Sequence, residues 1–172
     1  PSGKLPIKVA WITALVLVIT VIPLSFLLSP GFTIVIISYL VINLAYSKWL
    51  KHVPILDVFI IAAGFMLRVE AGLHLITVER FSPWLYVVTT LGSLYLGFGK
   101  RRAELTLLAQ GAGTHRKVLE GYSIPLLDQY ITIVSAATIL SYSLYTFSAP
   151  NLPANHTMML TIPFIAYIIF RY

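Results

Sequence analysis

Two short basic segments gather five Lys or Arg and one His, side chains that suit phosphate chemistry. Tyr46-Ser47-Lys48-Trp49-Leu50-Lys51-His52 closes one apolar run, and Gly99-Lys100-Arg101-Arg102-Ala103-Glu104-Leu105 closes another. A lysine offers a compact ammonium charge and an arginine a planar fork of donors, the groups that replace water around a phosphate or diphosphate. Glu104 follows Lys100 by four residues, a spacing that places both on one helical face and lets the carboxylate hold the lysine. The competing reading is that these are ordinary topogenic cations whose stems snorkel toward lipid headgroups. The Lys-Arg-Arg triplet after Gly99 is denser than topology alone requires.

Asp57 and Arg68 carry charge inside an apolar run. Such charges are costly in lipid and mark a bundle interior or a water-filled cavity. Asp57 lies about one turn past Pro54, where a carboxylate also favours the positive end of a helix dipole. Arg68 is about 25 Å beyond Lys51 if the stretch between them is one helix at 1.5 Å per residue. At that depth it reaches the far leaflet, to snorkel there or to pair with Glu70. Asp128 and His74 are weaker cases of the same kind. Metal ligation finds little support, since no two carboxylates stand three or four apart and the four histidines are scattered. There is no cysteine, and no phosphate-cradling glycine loop or nucleophile elbow is present.

The elements that must position these residues are transmembrane helices. Hydrophobic residues make up 58% of the chain and charged residues only 10%, with a mean hydropathy of +0.88. A surface so poor in charge must face lipid. Apolar runs at about 7–28, 32–50, 54–76, 83–98, 124–147 and 156–170 predict an all-α, polytopic bundle of six spans in a single domain. Ten of the twelve Lys and Arg flank alternate connections: Lys4, Lys8, Lys48, Lys51, Lys100, Arg101, Arg102, Arg116, Lys117 and Arg171. The intervening connections hold only Arg80, cancelled by Glu79. The positive-inside bias therefore puts both chain ends and the 100–122 loop in the cytoplasm of a cell-membrane protein. Within that loop, residues 114–120 suit a short amphipathic surface helix. The net charge of +6 follows from topology and does not call for nucleic acid. The chain opens at Pro1 without an initiator methionine and ends at Tyr172 directly after an apolar run, so it reads as a piece of a longer polypeptide.

In this order, the motifs resemble the UbiA superfamily of intramembrane prenyltransferases, and within it the phosphoribosyltransferase branch. The resemblance rests on Leu50-Lys51-His52 through Leu56-Asp57, on Gly64-Phe65-Met66-Leu67-Arg68, on Gly99 to Leu105, and on Leu119-Glu120-Gly121-Tyr122. It implies a nine-helix fold around a cavity open to the cytoplasm, of which six helices are present here. It also implies a Mg²⁺-holding Asn-Asp-x-x-Asp-x-x-x-Asp motif, expected upstream of Pro1, and a further helix beyond Tyr172. A chain without that motif is expected to be inactive by itself.

The implied reaction moves 5-phosphoribose from phosphoribosyl diphosphate to a polyprenyl phosphate and releases diphosphate, chemistry of the kind that supplies cell-wall arabinan precursors. By the same resemblance Lys100 and Arg101 meet the diphosphate or ribose phosphate, and Lys51 and His52 meet the polyprenyl phosphate or the second anion. Arg68 joins them as a substrate ligand, with Tyr46, Asp57, Arg102 and Glu104 in support. Two alternatives stand beside this one. The first is a UbiA-type enzyme joining a prenyl diphosphate to an aromatic acceptor, which would carry a second Asp-rich motif where this chain has Lys100 to Glu104. The second is a transporter or non-catalytic membrane subunit. Polyprenyl length and oligomeric state are not readable from the sequence.

Overall fold

The computed structural model describes residues 6–76, 82–109, 117–150, 152–153 and 155–172. Lys4, the Glu79-Arg80 connection, and residues 114–116 with Arg116 lie outside the described residues. So does the side chain of Lys117.

Among the described residues six α-helices follow one another: α1 (Ile7–Leu28), α2 (Pro30–Lys48), α3 (Leu56–Leu73), α4 (Pro83–Ala109), α5 (Ile124–Ser148) and α6 (Ile162–Arg171). No strand occurs among the described residues. Among the described residues three helices, α1, α2 and α5, are long and apolar enough to cross a membrane. The local signals that start these helices are simple. Proline sits in the first turn of α2, α4, α5 and α6, where its missing N–H costs nothing and its fixed φ suits the helix. Ser123 caps α5, its side chain accepting from the Leu126 N–H at 3.3 Å.

Three elements depart from the apolar runs. The run from Pro54 does not start as a helix, because Leu50–His52 forms a short 3₁₀ turn and α3 begins only at Leu56. Helix α4 continues past Phe98 to Ala109, so the whole basic segment 99–105 is helical. The run 156–170 is broken into a 3₁₀ turn (Thr157–Thr161) and the short α6, whose Pro163 cannot sit in a helix interior. The described part of the expected surface helix, Lys117–Gly121, is likewise a 3₁₀ turn.

Each helix packs chiefly on its neighbours in sequence, with α4 against α5 the most extensive interface. The core gathers Val58 and Ala62 of α3, Leu94 and Phe98 of α4, and Leu127 and Val134 of α5. Val118 and Leu119, from the connection ahead of α5, complete it. Gly97 is where α4 meets α3, because a Cβ there would collide with Val58. Small and hydroxylic residues join the outer helices. Ser25 of α1 donates to Thr33 of α2 at 3.1 Å, and Tyr142 of α5 shares a hydrogen bond with Thr161 at 2.7 Å. The Tyr95 hydroxyl donates to the Ile169 carbonyl and ties α6 to α4. Helix α1 is almost wholly exposed, presenting Trp11, Ile12, Leu15 and Leu24 outward, as expected of a surface meant for lipid.

Candidate phosphate-binding site

The two basic segments come to the same end of the bundle, and a buried polar network joins them. Asp57 occupies the first turn of α3 and is fully buried. Arg101 of α4, 1% exposed, donates from Nε to Asp57 Oδ2 at 2.7 Å and from Nη1 to Glu104 Oε2 at 2.6 Å. The Tyr122 hydroxyl donates to Asp57 Oδ1 at 2.6 Å while accepting the Ile55 backbone N–H at 2.6 Å. Burial, then the hydrogen bond to Asp57, pushes the Tyr122 phenol above its ordinary pKa, so it stays protonated and can donate. Each buried carboxylate oxygen of Asp57 therefore has a partner, the condition for burying such a charge.

This network holds a strained turn. Ile55 has φ of 68°, a region that β-branched residues rarely enter, and such outliers persist only where the surroundings enforce them. Two contacts do so here. Tyr122 takes the Ile55 N–H, and Gly121 lies so close against Pro54 that a Cβ would overlap the proline ring. The turn just before Ile55 carries Lys51, partly exposed, and His52, exposed.

Gly121→Ala is expected to destabilise the protein by about 1–3 kcal/mol through overpacking against Pro54. Gly72→Ala, where a Cβ meets nothing within 4 Å, should be neutral or mildly stabilising. Thermal unfolding in detergent compares the two directly.

Successive residues of α4 point about 100° apart, so Lys100, Arg101 and Arg102 face three directions. Arg101 faces α3 and is buried. Arg102 faces α5 and donates from Nε to Asp128, with both side chains about half exposed. That pair is worth at most about 1 kcal/mol. Lys100 is exposed, and among the described residues neither it nor Lys51 has an ion-pair partner.

Several sequence expectations are revised by this arrangement. Glu104 pairs with Arg101, three residues before it, because Arg101 is the member of the triplet turned inward. Arg101 is committed to two carboxylates. Arg68 does not pair with Glu70, whose carboxylate lies 3.6 Å from His74. Its Nη2 donates instead to the Tyr39 hydroxyl of α2 at 2.6 Å, and its guanidinium stacks 4.9 Å from the Phe65 ring centroid. Because α3 starts at Leu56, Arg68 stands only about 18 Å along the helix from its basic end. Tyr46 lines the same α2–α3 groove as Arg68, whose lining includes neither Asp57 nor Arg101.

The carboxylates here do not fit a divalent cation. Asp57 is saturated by Arg101 and Tyr122, and no three His, Asp or Glu side chains converge among the described residues. Sequence reasoning gave no role to Tyr122, Gly121 or Ile55. Leu119-Glu120-Gly121-Tyr122 was visible as a motif, but its contact with a turn 67 residues away was not.

Together, the fold and the site define a membrane-type helical bundle with paired cationic segments at one end. No protein-family model matches the chain. It is 36% identical over 148 residues to the decaprenyl-phosphate phosphoribosyltransferase of Corynebacterium glutamicum, covering 85% of this chain and 44% of that protein. It is 30% identical over 163 residues to the protein of the same name from Mycobacterium tuberculosis, covering 95% and 54%. The Mycolicibacterium smegmatis protein of that name matches at 33% over 159 residues, covering 92% and 49%. The chain is thus homologous, over most of its own length, to proteins named decaprenyl-phosphate phosphoribosyltransferase, in agreement with the UbiA-type resemblance of its motifs. It spans about half the length of these curated relatives.

Proposed function

We propose that the intact protein transfers 5-phosphoribose from phosphoribosyl diphosphate to the phosphate of a polyprenyl phosphate. An oxygen of the lipid phosphate forms the new bond to the anomeric carbon, the bond from that carbon to the diphosphate breaks, and diphosphate leaves with the electron pair. One observation carries the reading: the Asp57–Arg101–Tyr122 network brings Lys51, His52 and Lys100 to one end of the bundle, with neither lysine neutralised by a described carboxylate. The names of the homologues support the same chemistry.

In this reading Lys100 meets the diphosphate, where negative charge builds as the anomeric bond breaks. Lys51 and His52 meet the second anion of the donor. Arg101 acts as a positioning residue, since both carboxylates it touches neutralise it. Any Mg²⁺ that serves the reaction is to be sought on residues outside this chain. The protein is placed in the cell membrane as a multi-pass enzyme, with the basic end and both ends of this chain on the cytoplasmic side. Lys8, Lys48, Lys51, Lys100 and Arg171 support that orientation.

The test is incubation of the intact protein with labelled phosphoribosyl diphosphate and polyprenyl phosphate. Label should move into the lipid phase with release of diphosphate. Prenylation of an aromatic acid by a prenyl diphosphate, without that transfer, would replace the proposal.

A further inference from the structure

Two cavities meet at Arg68. One of about 200 Å³ lies between α2 and α3 toward the basic end, with Asn43, Tyr46 and Phe65 in its wall. The other, about 230 Å³, continues along the same helix pair in the opposite direction, past Phe32, Val35, Leu67 and Ala71. Tyr39 and Arg68 belong to both walls. The two halves differ in chemistry: the first offers an amide and a phenol beside Arg68, whereas the second has no polar side chain beyond the shared pair. The whole is an amphipathic groove with a cation at its centre.

Arg68 is exposed at the groove and keeps donors to spare. A guanidinium carries five N–H donors, and the described structure gives it one hydrogen-bond acceptor, the Tyr39 hydroxyl. Its charge is faced by the rings of Tyr39 and Phe65, at 5.2 and 4.9 Å, and by no carboxylate among the described residues. An arginine within an apolar helix marks a substrate or ion pathway, and an exposed one with no described counter-ion suits an anion there. The fork geometry suits a phosphate bidentately, which a single ring hydroxyl cannot satisfy.

We infer that the α2–α3 groove binds a single-chain lipid phosphate. Its phosphate would sit on Arg68 and Tyr39, flanked by Asn43 and Tyr46, and its hydrocarbon would lie along Phe32, Val35, Leu67 and Ala71. This deepens the proposed function and rests on it to this extent: the ligand is the polyprenyl phosphate acceptor. The donor's anions are then left to Lys51, His52 and Lys100.

The experiment measures binding to the intact protein in nanodiscs of neutral lipid. The probes are a short isoprenyl phosphate, the matching isoprenol, inorganic phosphate and a diacyl phosphatidic acid. The isoprenyl phosphate should bind at least tenfold more tightly than each of the others. Arg68→Gln should weaken it more than tenfold, Arg68→Lys less, and phosphoribosyl diphosphate should bind both variants as it binds the unmodified protein. If Arg68→Gln fails to fold, Ala71→Phe supplies the second arm, filling the apolar half and lowering isoprenyl phosphate affinity with Arg68 intact. Unchanged isoprenyl phosphate affinity in the folded variants overturns the inference, as does equal competition by phosphatidic acid. The two readings fail separately. Phosphoribosyl transfer with an unaltered KM for the lipid in Arg68→Gln sinks only the groove, whereas lipid binding without transfer sinks only the proposed reaction.

Discussion

Asp57→Ala is expected to lower the free energy of unfolding by about 3–5 kcal/mol, the usual effect of removing one partner from a buried ion pair. The size follows from what is left behind. Arg101 would remain buried with Glu104 as its carboxylate, and the Tyr122 hydroxyl would lose its acceptor while still holding the Ile55 N–H. A buried guanidinium stripped of one of its two carboxylates, together with an orphaned hydroxyl, falls among the few single-site changes with effects so large. A control separates the cost of an unpaired charge from the worth of the pair. Replacing both members with apolar residues, Asp57→Leu with Arg101→Met, should recover a substantial part of the loss, because a buried pair pays heavily in desolvation. Denaturant or thermal unfolding in detergent measures both. If Asp57→Ala unfolds as the unmodified protein does, the network does not hold this end of the bundle together. The double variant should still lose transfer activity, since the strained turn at Ile55 would no longer be tied to Asp57 through Tyr122.

Lys100→Ala and Lys51→Ala should each lower transfer turnover by more than tenfold, equivalent to over about 1.4 kcal/mol of barrier, without loss of folded protein. Both side chains reach solvent, and neither has a described ion-pair partner, so their removal chiefly strips away charge. Arg102→Ala provides the contrast. It breaks only a half-exposed pair with Asp128, and its effect on stability should stay within about 1 kcal/mol. Steady-state kinetics on the intact protein, alongside a folding check, distinguishes these outcomes. Turnover unchanged in both lysine variants would mean that neither lysine serves the reaction.

The helical character was legible from hydropathy, because lipid requires every backbone group to be satisfied within its own segment. Residues 7–28 illustrate it: the apolar run and α1 share the same bounds. The departures all involve proline or long-range packing. Pro54 and the positive φ of Ile55 delay α3, and Pro163 splits the final run. Neither outcome follows from hydropathy, which sees Pro54 and Ile55 as apolar and reads straight through them. At the site, residue types alone picked out Lys51, Asp57, Arg68 and the 100–102 triplet as chemically unusual. Their partners were another matter. Local spacing offered Glu104 to Lys100 and Glu70 to Arg68, whereas tertiary packing turned Arg101 inward and set Tyr39 beside Arg68. Partner choice between helices depends on rotation about each axis, and one residue of difference moves a side chain by about 100°.

A double-mutant cycle on phosphoribosyl diphosphate binding tests the central claim most directly. Binding would be measured for the unmodified intact protein, Lys51→Ala, Lys100→Ala and the pair together. If both ammonium groups serve one anionic ligand at the end braced by Asp57 and Arg101, each single change weakens binding by more than tenfold, and the double change departs from the sum of the two by at least about 0.5 kcal/mol. Binding left intact by either substitution would mean that the two lysines do not share a ligand.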